Sequence, residues 1–246
     1  MSTARDLALV ALGLHPQEAF TQGDLSLALA GAEAIDLLES GELTLHTGRL
    51  IPGTPATTGG GVGAVDAADA VDADAELPLG RRLLNEAAAS LVRREPYETV
   101  EDWLWRRGRN LAAAYVEDLA QAGPVTQPGR PRHPRRPGRH GRLPAWVVGG
   151  VPGGVGGVQG EGAGVANVPA GSPEYRRAEE RLASREPVLT ALHATLRAAD
   201  LPPGTGEPTG DAATVLAAVG DAVTALEAQR LRRDVENTAF DNIWRA

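Results

Sequence analysis

Residues 124–172 set the tightest limit on what this chain can fold into. The segment opens PVTQPGRPRHPRRPGRHGRLP, which holds Arg130, Arg132, Arg135, Arg136, Arg139 and Arg142 and no acid, and continues as a Gly/Val repeat, VVGGVPGGVGGVQGEGAGVANVPAG. Neither half has an apolar period, so neither can bury enough surface to offset the entropy of ordering it. A folded body must therefore come from 1–123 and 173–246, with 124–172 as a long low-complexity insertion. A second interruption is predicted at 53–78, where Gly, Thr and Ala give way to Asp66, Asp69, Asp72, Asp74 and Glu76 with no base among them. That is the composition of a solvated acidic loop. A length of 246 residues suits one domain, 1–246, carrying both interruptions.

Outside these tracts apolar residues recur at helical spacing. Thr3 to Leu14 places Leu7, Val10, Ala11 and Leu14 on one face behind a capping-box-like Thr3 and Asp6. Asp24 to Ser40 repeats the pattern, with a cap at Asp24 and a stop at Gly41. ELTLHTGRLIP reads as a hairpin turning at His46-Thr47-Gly48. LGRRLLNEAAASLV is helical and ends before Glu95-Pro96; Thr99, with Asp102 three residues on, caps a helix predicted to run to Gly123. Further helices are expected at 173–184, 187–199 and 211–240, the last apolar at Val215, Val219, Val223 and Leu226. The sum is a mainly α fold: one globular helical domain with one or two short β-hairpins and no strand–helix alternation.

The composition narrows the function by exclusion. Without cysteine there is no disulfide, thiolate zinc site or cysteine nucleophile. His15, His46, His133, His140 and His193 form no pair at ligand spacing on a predicted helix, so no metal is expected. The glycine tract lacks the Lys-Ser/Thr of a P-loop, and no serine sits in a nucleophile elbow. Neither catalysis nor a cofactor is expected. A net charge of -8 opposes general affinity for nucleic acid or an anionic surface, which leaves only a local basic patch to bind one. Every basic residue is arginine, a bias that itself reads as codon usage. No apolar run approaches the roughly 18 residues of a spanning helix, and MSTARDLALVALGL has no cleavage pattern. The expectation is a cytoplasmic protein, neither secreted nor membrane-spanning.

The stretch ETVEDWLWRRGRN, Glu98 to Asn110, sets two tryptophans against three arginines. At about 100° per residue, Val100, Leu104, Gly108, Leu111, Tyr115, Leu119 and Ala122 share a face that should be core. Trp105 and Arg109 fall on one flank, four apart and able to touch; Trp103, Arg106 and Arg107 lie toward the other. Two readings stay open. In one, Trp103 is packed, Trp105 covers a groove and the arginines form a solvated edge. In the other, an indole enters a lipid headgroup boundary while arginine grips a phosphate bidentately. The run Arg135, Arg136, Arg139 and Arg142 is either a biased loop or an electrostatic tether, worth about 1 kcal/mol per arginine at an anionic surface.

At these residues the chain resembles the Golgi phosphoprotein 3 family. LLNEAAASLVRREPYETVEDWL is similar to the family segment in which a D-E-A helix leads into P-x-E-T-V-x-x-W-[IL]. STARDLALVALGL, AIDLLESGELTL and LAAVGDAVTALEA resemble its first helix, its helix-and-hairpin and its late helix, and FDNIWRA resembles the ending of bacterial members. The resemblance implies a mainly helical domain that lies on membranes without crossing them. Eukaryotic members bind phosphatidylinositol 4-phosphate through an indole and arginines and act as adaptors that retain glycosyltransferases. Arg109 matches the first arginine of the family's R-N-V-R-E-R-L when the helices are aligned back from Gly123; the second falls on Ala112, and the tryptophan and arginine before the family's G-x-x-I-E-L have no counterpart in SLALAGAE. Asn85 stands where the family has Asp. The long hairpin through which eukaryotic members self-associate would fall within 124–172, in the Arg/Pro and Gly/Val tract.

The resulting expectation is a peripheral adaptor on the inner face of the membrane that binds an anionic, phosphorylated lipid headgroup through Arg109, Trp105 and Arg106. Its partners would be that lipid, a client membrane or biosynthetic enzyme, and a second copy of itself. The alternative is a soluble helical regulatory or scaffold protein, DNA-associated because a helix followed by ELTLHTGRLIP also resembles a winged helix. The acidic total and the lack of a basic recognition helix stand against contact with nucleic acid.

Overall fold

A computed structural model describes residues 2–13, 20–53, 81–121 and 172–244. The segments that carry the acidic loop (54–78), the low-complexity insertion up to Gly171 and the arginines Arg135, Arg136, Arg139 and Arg142 lie outside the described residues.

The order of elements is α1 (Thr3–Gly13), α2 (Gln22–Glu39), β1 (Leu43–His46), β2 (Arg49–Pro52), α3 (Arg81–Ala89), α4 (Val100–Arg107), α5 (Leu111–Gln121), α6 (Pro173–Ala183), α7 (Pro187–Leu196) and α8 (Gly210–Trp244). The mainly α class holds, with one two-stranded hairpin among the described residues. Its strands pair antiparallel, Leu43 with Pro52 and His46 with Arg49, so Leu43 and Leu50 both enter the core. The loop before α4 extends this edge: the Leu50 amide donates to the Glu98 carbonyl at 2.8 Å, and the Val100 amide donates to Gly48 at 3.2 Å.

Helix α2 is the centre. Every residue from Leu25 to Leu37 is buried, and α1, α3, α4, α5, α7, α8 and β1 all pack against it. Its run LSLALAGAEAIDLL is apolar on every side but for Ser26, Glu33 and Asp36, as a helix enclosed by others can be only when its buried polar groups find partners. Gly31 admits α8 closely, since a Cβ there would lie 2.3 Å from a Val219 methyl. On α8 the buried positions are Val215, Val219 and Ala222, and side chains from Leu231 to Thr238 are all exposed.

Three local expectations are corrected. The cap of α1 is not the Thr3–Asp6 box. Asp36 of α2 accepts the Thr3 amide at 2.9 Å, the Ala4 amide at 3.2 Å and the Ser2 hydroxyl at 2.8 Å, while Asp6 pairs with Arg181 of α6. At α2 the cap is Thr21, whose hydroxyl oxygen accepts the Asp24 amide at 3.3 Å; Asp24 closes the capping box three residues after its first member and does not open it. The helix predicted from Thr99 to Gly123 is broken. Thr99 does cap it, accepting the Asp102 amide at 3.1 Å, but α4 ends at Arg107 and Asn110 adopts φ 58° before α5 begins. The predicted apolar face survives the break, with Val100, Leu104, Gly108, Leu111, Tyr115 and Leu119 all buried.

Candidate functional site

The aromatic and basic stretch is divided by the α4–α5 break, and each side chain has its own environment. Trp103 is wholly buried, its indole N–H donating to the Ala30 carbonyl at 3.0 Å. Trp105 is partly buried against the core. The cation over an indole is Arg106 on Trp103, 5.2 Å from the ring centroid. Arg109 lies beyond the end of α4, so the predicted four-residue step from Trp105 to Arg109 within one helix does not exist.

Arg106 forks onto Glu98, Nε to Oε1 at 2.6 Å and Nη2 to Oε2 at 2.7 Å, and also donates to the Ser90 carbonyl. The Glu98 carboxylate holds the guanidinium above its ordinary pKa against the opposing effect of burial. Arg107 is sunk deeper. It forks onto the fully buried Glu33 at 2.7 and 3.1 Å, reaches Glu86 of α3 at 2.7 Å and donates to the Leu83 carbonyl. Tyr115 of α5 donates its hydroxyl to the same Glu33 carboxylate at 3.1 Å. Burial works against the Arg107 charge, but Glu33 and Glu86 outweigh it and hold its pKa above the ordinary value. Burial pushes the Glu33 carboxyl up, with Arg107 and Tyr115 opposing, and burial beside Glu33 keeps the Tyr115 phenol far above its usual range.

Arg109 is the contrast. It is exposed, in the turn between α4 and α5, and makes no hydrogen bond or ion pair with any described residue. The turn itself is fixed from beneath: Ser26 of α2 accepts the Ala112 amide at 3.1 Å, and a Cβ on Gly108 would meet the Leu104 carbonyl oxygen at 2.5 Å. Positions 26–33, where the family places a tryptophan and an arginine, are all buried here and carry Glu33 as their only charge. Beside them, the start of α2 is closed by Arg230 of α8, which pairs with Asp24 at 2.9 Å and donates to the Thr21 hydroxyl at 2.8 Å.

Of the expected site residues, the structure thus leaves Arg109 at the surface, commits Arg106 to a carboxylate and half-covers Trp105. The four tether arginines are outside the described residues. The Glu33–Arg107–Glu86–Tyr115 cluster is not among the residues the sequence singles out; its one signal there is a glutamate inside a largely apolar run. Among the described residues no group of His, Asp or Glu is placed to hold a metal, and no helix is long and apolar enough to cross a membrane.

Fold and stretch together define a class: a helical body with one hairpin among the described residues, in which an E-T-V-x-x-W segment caps a short helix, buries its tryptophan, holds Arg106 on its own Glu98 and sets Arg107 on acids of α2 and α3. The family model for Golgi phosphoprotein 3 (GPP34) matches residues 4–146, and the chain belongs to that family. Neither the curated proteins nor the solved structures compared gave a match.

Proposed function

We propose that this protein is a peripheral membrane adaptor, not an enzyme, that binds an anionic phosphorylated lipid headgroup at the α4–α5 turn. The observation that carries the reading is the state of Arg109: in a stretch where both neighbouring arginines are neutralised by carboxylates, this one is exposed and without a partner among the described residues. A guanidinium free to fork is suited to phosphate oxygens. Membership of the Golgi phosphoprotein 3 family supports the same ligand class. In this reading the half-covered Trp105 borders the lipid and Arg106 acts by keeping the loop before α4 in place. Arg135, Arg136, Arg139 and Arg142 add a less directional attraction to the inner, anionic leaflet. A client membrane or biosynthetic enzyme would then be held at that surface, and residues 1–246 would act as one domain.

Liposome flotation tests this. Wild type should float with phosphatidylcholine vesicles containing phosphatidylinositol 4-phosphate and stay behind with phosphatidylcholine alone. Arg109→Ala should weaken that binding by about 1.5–3 kcal/mol, the range for hydrogen bonds to charged groups, with an unchanged melting temperature. Equal flotation of wild type and variant at low salt would remove Arg109 from the site.

A further inference from the structure

Helix α8 outruns the body it belongs to. Val215, Val219 and Ala222 are buried, Val223 and Leu226 pack against the core, and Arg230 still reaches Asp24 and Thr21 at the start of α2. From Leu231 to Thr238 every side chain is exposed, Leu231 by 59% and Val235 by 69%. The helix nevertheless continues to Trp244, about 20 Å further. Val235, Asn237 and Thr238 are weak helix formers, and a stretch of such residues holds its helix chiefly by packing an apolar face.

Such a face exists, and it points away from the body. Thr224, Ala228, Leu231, Val235 and Thr238 follow alternating steps of four and three and form one stripe, on the side of α8 opposite Val215, Val219, Ala222 and Leu226. In heptad terms Ala228 and Val235 hold a positions, while Thr224, Leu231 and Thr238 hold d positions. A β-branched residue at a with leucine at d favours two parallel strands. Because the stripe faces outward, two copies can join their stripes with the two bodies on opposite sides. Asp221, the next a position toward the body, ends the seam, since two carboxylates would meet there.

Charge selects both the orientation and the occupant. Glu227 flanks the stripe at g and Arg232 flanks it at e; both are exposed and neither has a partner among the described residues. In a parallel pair the Glu227 of one copy faces the Arg232 of the other, twice by symmetry. An antiparallel pair would instead bring the g positions Glu227 and Asp234 of the two copies together, acid against acid. A membrane is the poorer occupant. Along this end of α8, Glu227, Asp234, Glu236 and Asp241 outnumber Arg230, Arg232 and Arg233, a balance that an anionic leaflet repels.

We propose that the exposed stripe of α8 is a self-association surface, on which two copies of this chain pair their α8 ends in parallel, with Leu231 and Val235 as the apolar seam and Glu227 bridging to Arg232 of the second copy. The surface uses no residue of the α4–α5 turn and none of 124–172. Its seam spans about two heptads, so the contact belongs to the weak, reversible class of interfaces, below roughly 1,200 Å².

The test uses the full chain. Sedimentation equilibrium between about 10 µM and 1 mM should show a reversible monomer–dimer equilibrium. Leu231→Glu combined with Val235→Glu should weaken it by about tenfold or more while leaving the melting temperature of the dilute protein unchanged, because both side chains are exposed in the single copy. Glu227→Arg or Arg232→Glu alone should weaken the dimer several-fold, and the two together should restore it. The chain has no cysteine, so Leu231→Cys reports the orientation. A parallel seam sets the two d positions side by side, and mild oxidation should link them, whereas Arg233→Cys on the far side of the helix should stay unlinked. Arg109→Ala should leave the equilibrium as it is, which separates this surface from the headgroup reading. A monomer throughout the concentration range, a dimer indifferent to the paired glutamates, or equal linking of both cysteine variants would overturn the proposal. So would paired glutamates that abolish flotation with vesicles containing phosphatidylinositol 4-phosphate and leave the oligomeric state alone, an outcome that would give the stripe to the membrane.

Discussion

Arg106, Arg107 and Arg109 sit within four positions and meet three fates. Arg106 braces the loop before α4 through Glu98, Arg107 is buried among acids, and Arg109 faces out. What separates them is the position of carboxylates 8, 74 and 21 residues away, which no local reading of RRGRN contains. The motif made Arg109 legible as a candidate, but not that it alone of the three would lack a partner among the described residues. Removing one member of a buried pair strands the other's charge, at a cost of about 3–5 kcal/mol, whereas removing both is often nearly neutral. Arg107→Met is thus expected to lower unfolding free energy by that amount in urea titration, since Glu33 would stay fully buried. Adding Glu33→Gln to Arg107→Met should recover most of the loss; a double variant as unstable as the single one would show that Arg107 stabilises through Glu86 and Leu83 instead.

Among the elements, periodicity made the helices and the hairpin legible, because burial imposes a spacing that the sequence displays directly. The break between α4 and α5 was hidden for the same reason. Gly108 to Leu111 is a three-residue step, so the apolar face runs through the break without a gap. Only the backbone of Asn110, at φ 58°, marks it. Asparagine tolerates the left-handed region and β-branched residues do not, at roughly 1–2 kcal/mol. Asn110→Gly should therefore keep or slightly raise the melting temperature, while Asn110→Val should lower it by several degrees in a calorimetric scan. If both melt like wild type, the turn is not held in that conformation. Caps were legible only when local: Thr99 was, and Asp36, more than thirty residues from the amides it receives, was not.

For the whole molecule, the junction of α1 with α2 links stability to pH. Burial raises the Asp36 carboxyl above its ordinary 3.8, and the bonds from Ser2, Thr3 and Ala4 only partly oppose it. A carboxyl whose pKa is higher folded than unfolded binds more protons in the folded state between those two values. Its contribution is therefore largest below 3.8 and declines as pH rises through the raised value. Comparing melting temperatures of wild type and Asp36→Asn across acidic to neutral pH should show the variant gaining on wild type as pH rises; a gap that moves the other way would mean that the bonds outweigh burial. The same helix carries Ser26 for α5, the Ala30 carbonyl for Trp103, Glu33 for Arg107 and Tyr115, and Asp36 for α1. Each buried polar side chain of α2, Ser26, Glu33 and Asp36, is answered by a named neighbour, so its leucines could be shuffled at the expense of fit alone. A foreign α2 grafted into this body would instead leave several donors and acceptors unanswered at once. The smallest exchangeable piece of this fold is therefore α2 together with α1, α4 and α5.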